Sequence, residues 1–216
     1  MMTTVFVAGA NGQTGRRIVS KLVEAGYDVR GLVRKEDHLR DLESTGAKGY
    51  LGDLSGAFSD GMKGADIVVC AAGAGTSGDP EHVDHVGTVR LIEQSVLEQI
   101  PRFVLISSMG TKDPDAMPSF LKPFLMAKRK AETILEESGL SYTIIRPGGL
   151  TNEPGKGKVH AAPELQRHGR VSRDDVAAAV LAALQIRQTH NQSFDLLEGD
   201  TPVEEALKGL NGSVPQ

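Results

Sequence analysis

Three glycines recur at every third position near the start of the chain, where residues 9–15 read G-A-N-G-Q-T-G. Gly9 permits a tight exit from a strand, Gly12 lets the backbone approach a pyrophosphate without a Cβ in the way, and Gly15 allows a helix to pack closely. Free N–H groups at the start of a helix bind anions. The motif predicts a phosphate-binding turn with these contributors: Gly9, Asn11, Gly12, Gln13, Thr14 and Gly15.

The glycine turn has the neighbouring elements that such a turn needs. Thr4 to Gly9 is a short, β-branched apolar run typical of a strand buried on both faces. Thr14 to Ala25 carries apolar residues at helical spacing, and Asp28 to Arg34 forms a second strand. Strand, glycine turn, helix and strand together make a dinucleotide-binding βαβ unit. The alternative is a glycine-rich connection without a ligand.

The end of the second strand indicates which dinucleotide the unit prefers. NAD sites usually place a carboxylate there for the ribose hydroxyls, whereas NADP sites place a cation near the 2′-phosphate. This sequence has Arg34 and Lys35 at that point, and a guanidinium pairs well with a phosphate. NADP is therefore favoured over NAD. The alternative is a solvated strand end, because Glu36 and Asp37 offset the charge.

Two later strand ends add candidate cofactor contacts. Asp53 and Leu54 follow the third strand, where the Asp53 carboxylate could accept a hydrogen bond from the adenine amino group. Small residues at Ala71, Ala72 and Gly73 end the next strand and leave room beside the ribose.

The rest of the chain continues the alternation of strand and helix. Further helices are predicted at 36–45, 80–99, 123–138 and 171–187, and further strands at 48–51, 66–72, 102–107, 142–146 and 192–197. This predicts an α/β fold, a single doubly wound Rossmann-type domain over 1–216 with a mainly parallel sheet flanked by helices. We expect the strand at 192–197 to close the sheet, 149–170 to cover a substrate, and the tail at 211–216 to fray.

Composition narrows the class of partner. The 216 residues carry a formal net charge of −4, so no excess of positive charge is available for a nucleic acid. The chain has one cysteine and no apolar run near the roughly 20 residues that span a bilayer. His82 and His85 share a helical face but lack the further ligands of a metal site. We expect a cytoplasmic protein without a metal, membrane or nucleic-acid partner; monomer and homodimer both remain open.

The combined motifs resemble the atypical short-chain dehydrogenase/reductase superfamily, in particular its small NAD(P)-binding oxidoreductases, NmrA-like proteins and biliverdin/flavin reductases. The resemblance rests on the glycine turn and on V-R at 33–34, G-D-L at 52–54, S-S-M-G at 107–110, A-K at 127–128 and R-P-G-G-L at 146–150. It implies that the nicotinamide end of the cofactor passes along Pro147, Gly148, Gly149 and Leu150. It also implies that Asp84 occupies a position where related proteins often carry asparagine.

The same resemblance implies a catalytic set in which this sequence departs from the usual pattern. Reductases of the superfamily commonly use a serine, a tyrosine as general acid, and a lysine four residues after the tyrosine. Lys128 is present, but Phe124 stands at the tyrosine position. Ser107 or Ser108, at a strand end, could orient a carbonyl, or could simply cap a turn. We expect Lys128 to contact the cofactor ribose.

These features favour an NADP-binding oxidoreductase that delivers hydride from NADPH to a small conjugated acceptor, namely a flavin, quinone, bilin or carbonyl compound. Such acceptors need little acid catalysis from the enzyme. A non-catalytic NADP sensor of the NmrA-like type is the alternative from another class. A sugar-nucleotide epimerase or dehydratase is a third hypothesis, which Phe124 and the lack of a substantial C-terminal substrate domain argue against.

Overall fold

The computed structural model describes residues 2–75 and 78–210, and the predicted frayed tail lies outside them. In chain order the strands are β1 (Thr4–Ala8), β2 (Asp28–Val33), β3 (Lys48–Leu51), β4 (Ile67–Cys70), β5 (Arg102–Ile106), β6 (Ser141–Pro147), β7 (Gly149–Thr151), β8 (Lys158–Ala162), β9 (Arg170–Ser172), β10 (Gln192–Glu198) and β11 (Thr201–Pro202).

Six α-helices are found in the described residues: α1 (Gln13–Glu24), α2 (Glu36–Glu43), α3 (Thr88–Leu97), α4 (Lys122–Glu137), α5 (Arg173–Gln185) and α6 (Val203–Lys208). The helix predicted at 80–99 is divided, because Glu81–Gly87 forms a π-helical segment ahead of α3. Apolar spacing alone does not separate the two helix types. No described helix combines the length and the apolar character that crossing a membrane requires.

Nine strands form one sheet in the order β11-β8-β10-β6-β5-β4-β1-β2-β3. The strand β1 pairs in parallel with β2 and β4 on either side, and it is buried over its whole length because its alternating side chains enter the cores on both faces of the sheet. One core packs between the sheet and α1, α5 and α6, and a second between the sheet and α3 and α4. This confirms the predicted α/β, doubly wound Rossmann-type fold with a mainly parallel sheet.

The strand order reverses between β1 and β4, which come from the first and second halves of the sheet. At such a point the connections leave the sheet toward opposite faces, so the carboxyl ends of the two strands open a crevice. The glycine turn after β1 and the residues after β4 both lie at this crevice.

One expectation about the sheet edge is wrong. The strand at 192–197 does not close the sheet, because β8 pairs antiparallel with it and β11 pairs with β8. Val159 is the only fully buried residue of β8, so the strand gives a weak alternating pattern. The remaining strands of the 149–170 region, β7 and β9, form a separate two-stranded sheet.

Candidate functional site

The three glycines of the turn differ in what surrounds them. Gly9 has φ of +78°, and a Cβ there would lie 2.6 Å from the backbone nitrogen of Ala72, so the ends of β1 and β4 approach closely. A Cβ on Gly15 would lie 2.0 Å from the carbonyl oxygen of Gly9. Gly12 has φ of −67°, and its Cβ would meet only Gly9 O among the described atoms, at 3.2 Å. The fold therefore requires glycine at positions 9 and 15, whereas at Gly12 the missing Cβ leaves open space.

A cavity of about 240 Å³ runs from this turn across the ends of β2, β3 and β4. We call it the first cavity. Residues predicted to hold a cofactor supply much of its wall: Gly9, Asn11, Gly12, Arg34, Lys35, Asp53, Leu54, Ala71, Ala72 and Gly73. The remaining members of the predicted turn, Gln13, Thr14 and Gly15, begin α1 behind it. Sequence reasoning did not identify the lining residues His38, Ser55, His82 and Val83.

Basic side chains border one end of the first cavity. Arg34 has 74% of its side chain exposed, and its Nε lies 3.9 Å from Asp53 Oδ2. Lys35 precedes the first turn of α2, and His38 follows one turn later. An exposed ion pair of this kind is weak, so Arg34 can turn toward an incoming anion at little cost.

Asp53 was predicted to accept a hydrogen bond from adenine. Its Oδ1 already accepts the Ser55 backbone N–H at 2.8 Å and the Ser55 hydroxyl at 2.6 Å. These two hydrogen bonds, and more weakly the charge of Arg34, hold the pKa of Asp53 below its usual value. The carboxylate stays ionised, and Oδ2 is the oxygen that faces Arg34.

An ion pair between α4 and the π-helical segment lies next to Gly73, which lines the first cavity. Lys128 Nζ is 2.7 Å from Oδ1 of Asp84, which is 3% exposed, although the angle falls outside that of a hydrogen bond. Oδ2 of Asp84 accepts the N–H of Ala74 at 3.0 Å. A Cβ on Gly73 would lie 3.9 Å from Lys128 Nζ. The fold thus brings Lys128 to the end of β4, beside the predicted ribose position.

Phe124 lies one helical turn before Lys128 on α4, as the spacing predicts. Its ring has no hydroxyl that could transfer a proton. The three tyrosines of the chain, Tyr27, Tyr50 and Tyr142, all fall within the described residues. Tyr142 is at the amino end of β6, at the opposite edge of the sheet from the carboxyl ends of the strands. Tyr27 directly precedes β2, and Tyr50 is in β3. None of them stands in for the tyrosine.

The two serines at the end of β5 have their hydroxyl protons engaged. Ser107 is 5% exposed and donates to Oε1 of Glu132 on α4. Ser108 donates to the carbonyl of Met109 at 3.1 Å. In this arrangement neither proton is free for a substrate carbonyl, and the catalytic assignment of Ser107 and Ser108 stays a prediction.

Glu132 is the centre of a buried polar network. Its carboxylate is fully buried and accepts from Arg146 Nε at 3.0 Å, from Arg146 Nη2 at 2.8 Å, and from Thr111 at 2.9 Å. Burial raises the pKa of Glu132, but the hydrogen bonds and charge of Arg146 and the hydroxyls of Ser107 and Thr111 outweigh it, and the net pKa is lowered. Glu132 is therefore ionised and paired.

The spacing of Glu132, Glu136 and Glu137 on a helix rich in lysine and arginine predicts ordinary i, i+4 pairing on a solvated face. For Glu132 this is wrong. Arg146 is the residue that could have indicated that Glu132 is buried. It ends an apolar strand, and an arginine buried there needs a carboxylate partner.

The R-P-G-G-L residues lie beyond the first cavity, at the ends of β5 and β6. The Pro147 carbonyl accepts the Met109 N–H at 3.0 Å. A Cβ on Gly148 would lie 2.4 Å from a Leu197 methyl carbon, so packing requires this glycine. Gly149 and Leu150 begin β7, where Leu150 is 38% exposed. None of residues 147–150 lines the first cavity, so their predicted contact with nicotinamide lies apart from the residues predicted to hold the adenine.

No group of three or more potential metal ligands is found in residues 2–75 and 78–210. His85 instead pairs with Glu81, and His82 lines the first cavity. Cys70 is fully buried, and burial raises the pKa of its thiol, so it packs as a small apolar residue.

The reversal of strand order, the glycine turn and the elongated cavity define a dinucleotide-binding Rossmann protein. The NAD(P)H-binding family matches residues 9–187, and the chain belongs to that family. The resemblance to small NAD(P)-binding proteins of the atypical short-chain dehydrogenase/reductase type is thereby confirmed at the level of the family.

Three similar proteins span nearly the whole chain. An uncharacterized sugar epimerase of Bacillus subtilis (strain 168) is 45% identical over 213 residues, which cover 95% of this chain and 99% of that protein. Sanguinarine reductase of Eschscholzia californica is 32% identical, covering 99% and 95%. A solved structure from Bacillus halodurans, described as a candidate NAD-dependent epimerase/dehydratase, has a TM-score of 0.93 at 34% identity and covers 96% and 100%.

Proposed function

We propose that the protein is an NADPH-dependent reductase that delivers hydride to a small conjugated acceptor such as a flavin, quinone, bilin or carbonyl compound. One observation carries the proposal. Lys128 lies next to Gly73, which lines the first cavity, and the residue one turn before Lys128 on α4 is Phe124. The chain therefore has the residues that bind a hydride donor, but lacks the tyrosine that carbonyl chemistry commonly needs.

The residues fit a bound NADPH. Open space above Gly12 suits a pyrophosphate, and Arg34 and Lys35 suit a 2′-phosphate. Lys128, held by the buried Asp84, can donate to ribose hydroxyls. Bound NADPH would supply the hydride. Because Phe124 cannot give a proton, the proton that completes the reduction comes from solvent or from an acidic group of the acceptor.

The names of similar proteins support two different activities. Sanguinarine reductase supports a reductase, whereas the two Bacillus proteins are described as an epimerase and an epimerase/dehydratase. Phe124 favours the reductase, since a sugar-nucleotide epimerase of this superfamily would need the tyrosine for proton transfer. A sensor that binds NADP without turnover remains the second candidate.

Steady-state oxidation of NADPH tests the proposal. We expect NADPH absorbance at 340 nm to fall when flavins, quinones, bilins or aldehydes are supplied one at a time, and to stay constant without an acceptor. A reaction lacking the protein corrects for direct reduction. Binding of NADPH with no turnover on any acceptor would favour the sensor, and conversion of UDP-glucose would favour the epimerase.

Replacing Arg34 by alanine tests the cofactor preference. We expect the variant to bind NADPH about tenfold more weakly, because it loses a charged hydrogen bond to the 2′-phosphate that is partly screened by solvent. NADH affinity should not change, since NADH lacks that phosphate. Isothermal titration with both nucleotides measures the two constants.

Arg40→Ala is the matched control, because Arg40 is an exposed cation on α2 outside the first cavity. It should leave both affinities unchanged. An equal loss for NADPH in both variants would show that general positive charge, rather than Arg34, attracts the cofactor.

A further inference from the structure

A second cavity, of about 290 Å³, lies on the α4 side of the sheet and shares no lining residue with the first. Its walls come from the segment after β5, from residues 164–168, from Arg146 near the end of β6 and from Asp195 in the middle of β10. Met109 is the first lining residue in chain order, and its backbone N–H donates to the Pro147 carbonyl. Because β4 and β5 are parallel neighbours in the sheet, the segment that follows β5 leaves the same edge of the sheet as Ala71–Gly73, which follow β4 and line the first cavity.

A buried cation with an unused donor lines this cavity. Arg146 is 1% exposed, and its Nε and Nη2 bind Glu132. Its Nη1 is buried, and no described residue accepts a hydrogen bond from it. A buried N–H without an acceptor is costly, so the site is built to receive a carbonyl oxygen or an equivalent acceptor.

A buried carboxylate stands beside the arginine. Asp195 on β10 is directly paired with Arg146 on β6, so the two side chains extend on the same face of the sheet. Asp195 is 6% exposed, and burial raises its pKa. Its Oδ2 accepts the Leu165 N–H at 2.9 Å, and in the part of the chain that the structure describes no hydrogen bond reaches Oδ1. The cavity thus offers one donor and one acceptor side by side.

Part of the remaining wall is apolar and suits a flat ring, alongside charged residues such as Lys112 and Glu164. Met109, Met117 and Leu165 provide apolar surface, and methionine sulfur contacts aromatic rings favourably. Residues 164–168 form one wall of the cavity, and this stretch is tied to the other walls by Lys112, which donates to the Pro163 carbonyl at 3.1 Å, and by Asp195, which accepts the Leu165 N–H. These residues belong to the segment 149–170, for which covering a substrate stays a prediction.

We propose that the second cavity binds the acceptor, and that the acceptor is a compact conjugated ring whose edge carries a lactam or imide. The ring carbonyl accepts from Arg146 Nη1 and the adjacent ring N–H donates to Asp195. A quinone has no N–H for Asp195. The volume is near the lower end of the range of about 300–1,000 Å³ for ligand pockets, so one fused ring system fits and four pyrrole rings do not.

The role as acceptor site rests on the proposed reductase function, but binding is tested without turnover. Lumiflavin, a flavin ring without sugar or phosphate, is titrated by its fluorescence in the absence of NADPH. The matched ligand is 3-methyllumiflavin, in which a methyl group replaces the hydrogen on the ring nitrogen while both neighbouring carbonyls remain. We expect methylation to weaken binding by at least about tenfold, the effect of losing a hydrogen bond to a charged group.

Asp195→Asn tests the same contact from the protein side. Asparagine keeps an oxygen for Leu165 but presents an amide N–H to the ring, so lumiflavin affinity should also fall by about tenfold. The Asp195→Asn variant should bind lumiflavin and 3-methyllumiflavin equally, because the substitution and the methyl group remove the same hydrogen bond. Glu198→Gln, an exposed position on β10 outside the cavity, should bind like the parent protein.

The outcomes separate the two proposals. Absent lumiflavin binding, or binding insensitive to both Asp195→Asn and methylation, would overturn the cavity assignment even if NADPH is oxidised. Binding that depends on Asp195, without NADPH oxidation by any acceptor, would support the cavity as a ligand site and overturn the reductase. Melting curves with and without NADPH verify that Asp195→Asn is folded.

Discussion

Replacing Glu132 by glutamine is expected to lower the free energy of unfolding by about 3–5 kcal/mol, the range measured when one partner of a buried ion pair is removed. Arg146 would keep its charge inside the protein, and the neutral amide would offer one acceptor oxygen in place of two. The Ser107 and Thr111 hydroxyls would compete for that same oxygen. Urea unfolding of the purified protein measures the loss.

Glu136→Gln is the matched control on the same helix. Glu136 is 27% exposed and lies 3.9 Å from Arg146, so its removal should cost less than about 1 kcal/mol. Equal losses in the two variants would contradict the central role of the Glu132–Arg146 pair.

Acid should reduce the difference between Glu132→Gln and the parent. The folded-state pKa of Glu132 is lowered from its ordinary 4.5, so its stabilising contribution is complete above that value and is lost as the pH falls through the lowered pKa. The gap in unfolding free energy should be constant near neutral pH and narrow below about pH 4. A gap independent of pH would mean that the carboxylate charge contributes nothing.

Most of the wall of the first cavity could be predicted from the sequence because its signals are local. The turn at 9–15 needs glycine at Gly9 and Gly15 for backbone reasons, and those reasons are visible in the spacing alone. Arg34, Asp53 and Gly73 follow because parallel strands end at the same edge of the sheet. All three residues line the first cavity.

What the sequence did not reveal depends on contacts between distant residues. Glu132 looks like any charged residue of an exposed helix until Arg146 of β6 is placed against it. Ser107 sits at the predicted strand end, yet its proton goes to the same carboxylate. The strand β8 has a single fully buried side chain, so its pairing with β10 leaves little trace in the periodicity.

Replacing Gly12 by alanine is expected to remove dinucleotide binding while leaving the fold intact. Its φ of −67° suits any residue, and the added methyl would meet only Gly9 O, at 3.2 Å, among the described atoms. Stability should fall by about 1 kcal/mol, because alanine is a poorer helix N-cap than glycine and the methyl group makes a close contact with the Gly9 carbonyl oxygen. The methyl group would occupy the space that a pyrophosphate needs, so affinity should fall at least about 100-fold, or about 2.8 kcal/mol.

Gly209→Ala makes the same chemical change at the end of α6, where the nearest atom is an ordinary 3.4 Å away, and should alter neither stability nor binding. Titration with NADPH and NADH then separates two parts of the site. Gly12→Ala should weaken both nucleotides equally, because both carry the pyrophosphate, whereas Arg34→Ala should weaken NADPH alone. If Gly12→Ala keeps normal affinity and a normal melting temperature, the glycine turn does not hold the pyrophosphate, and the first cavity must bind its ligand in another orientation.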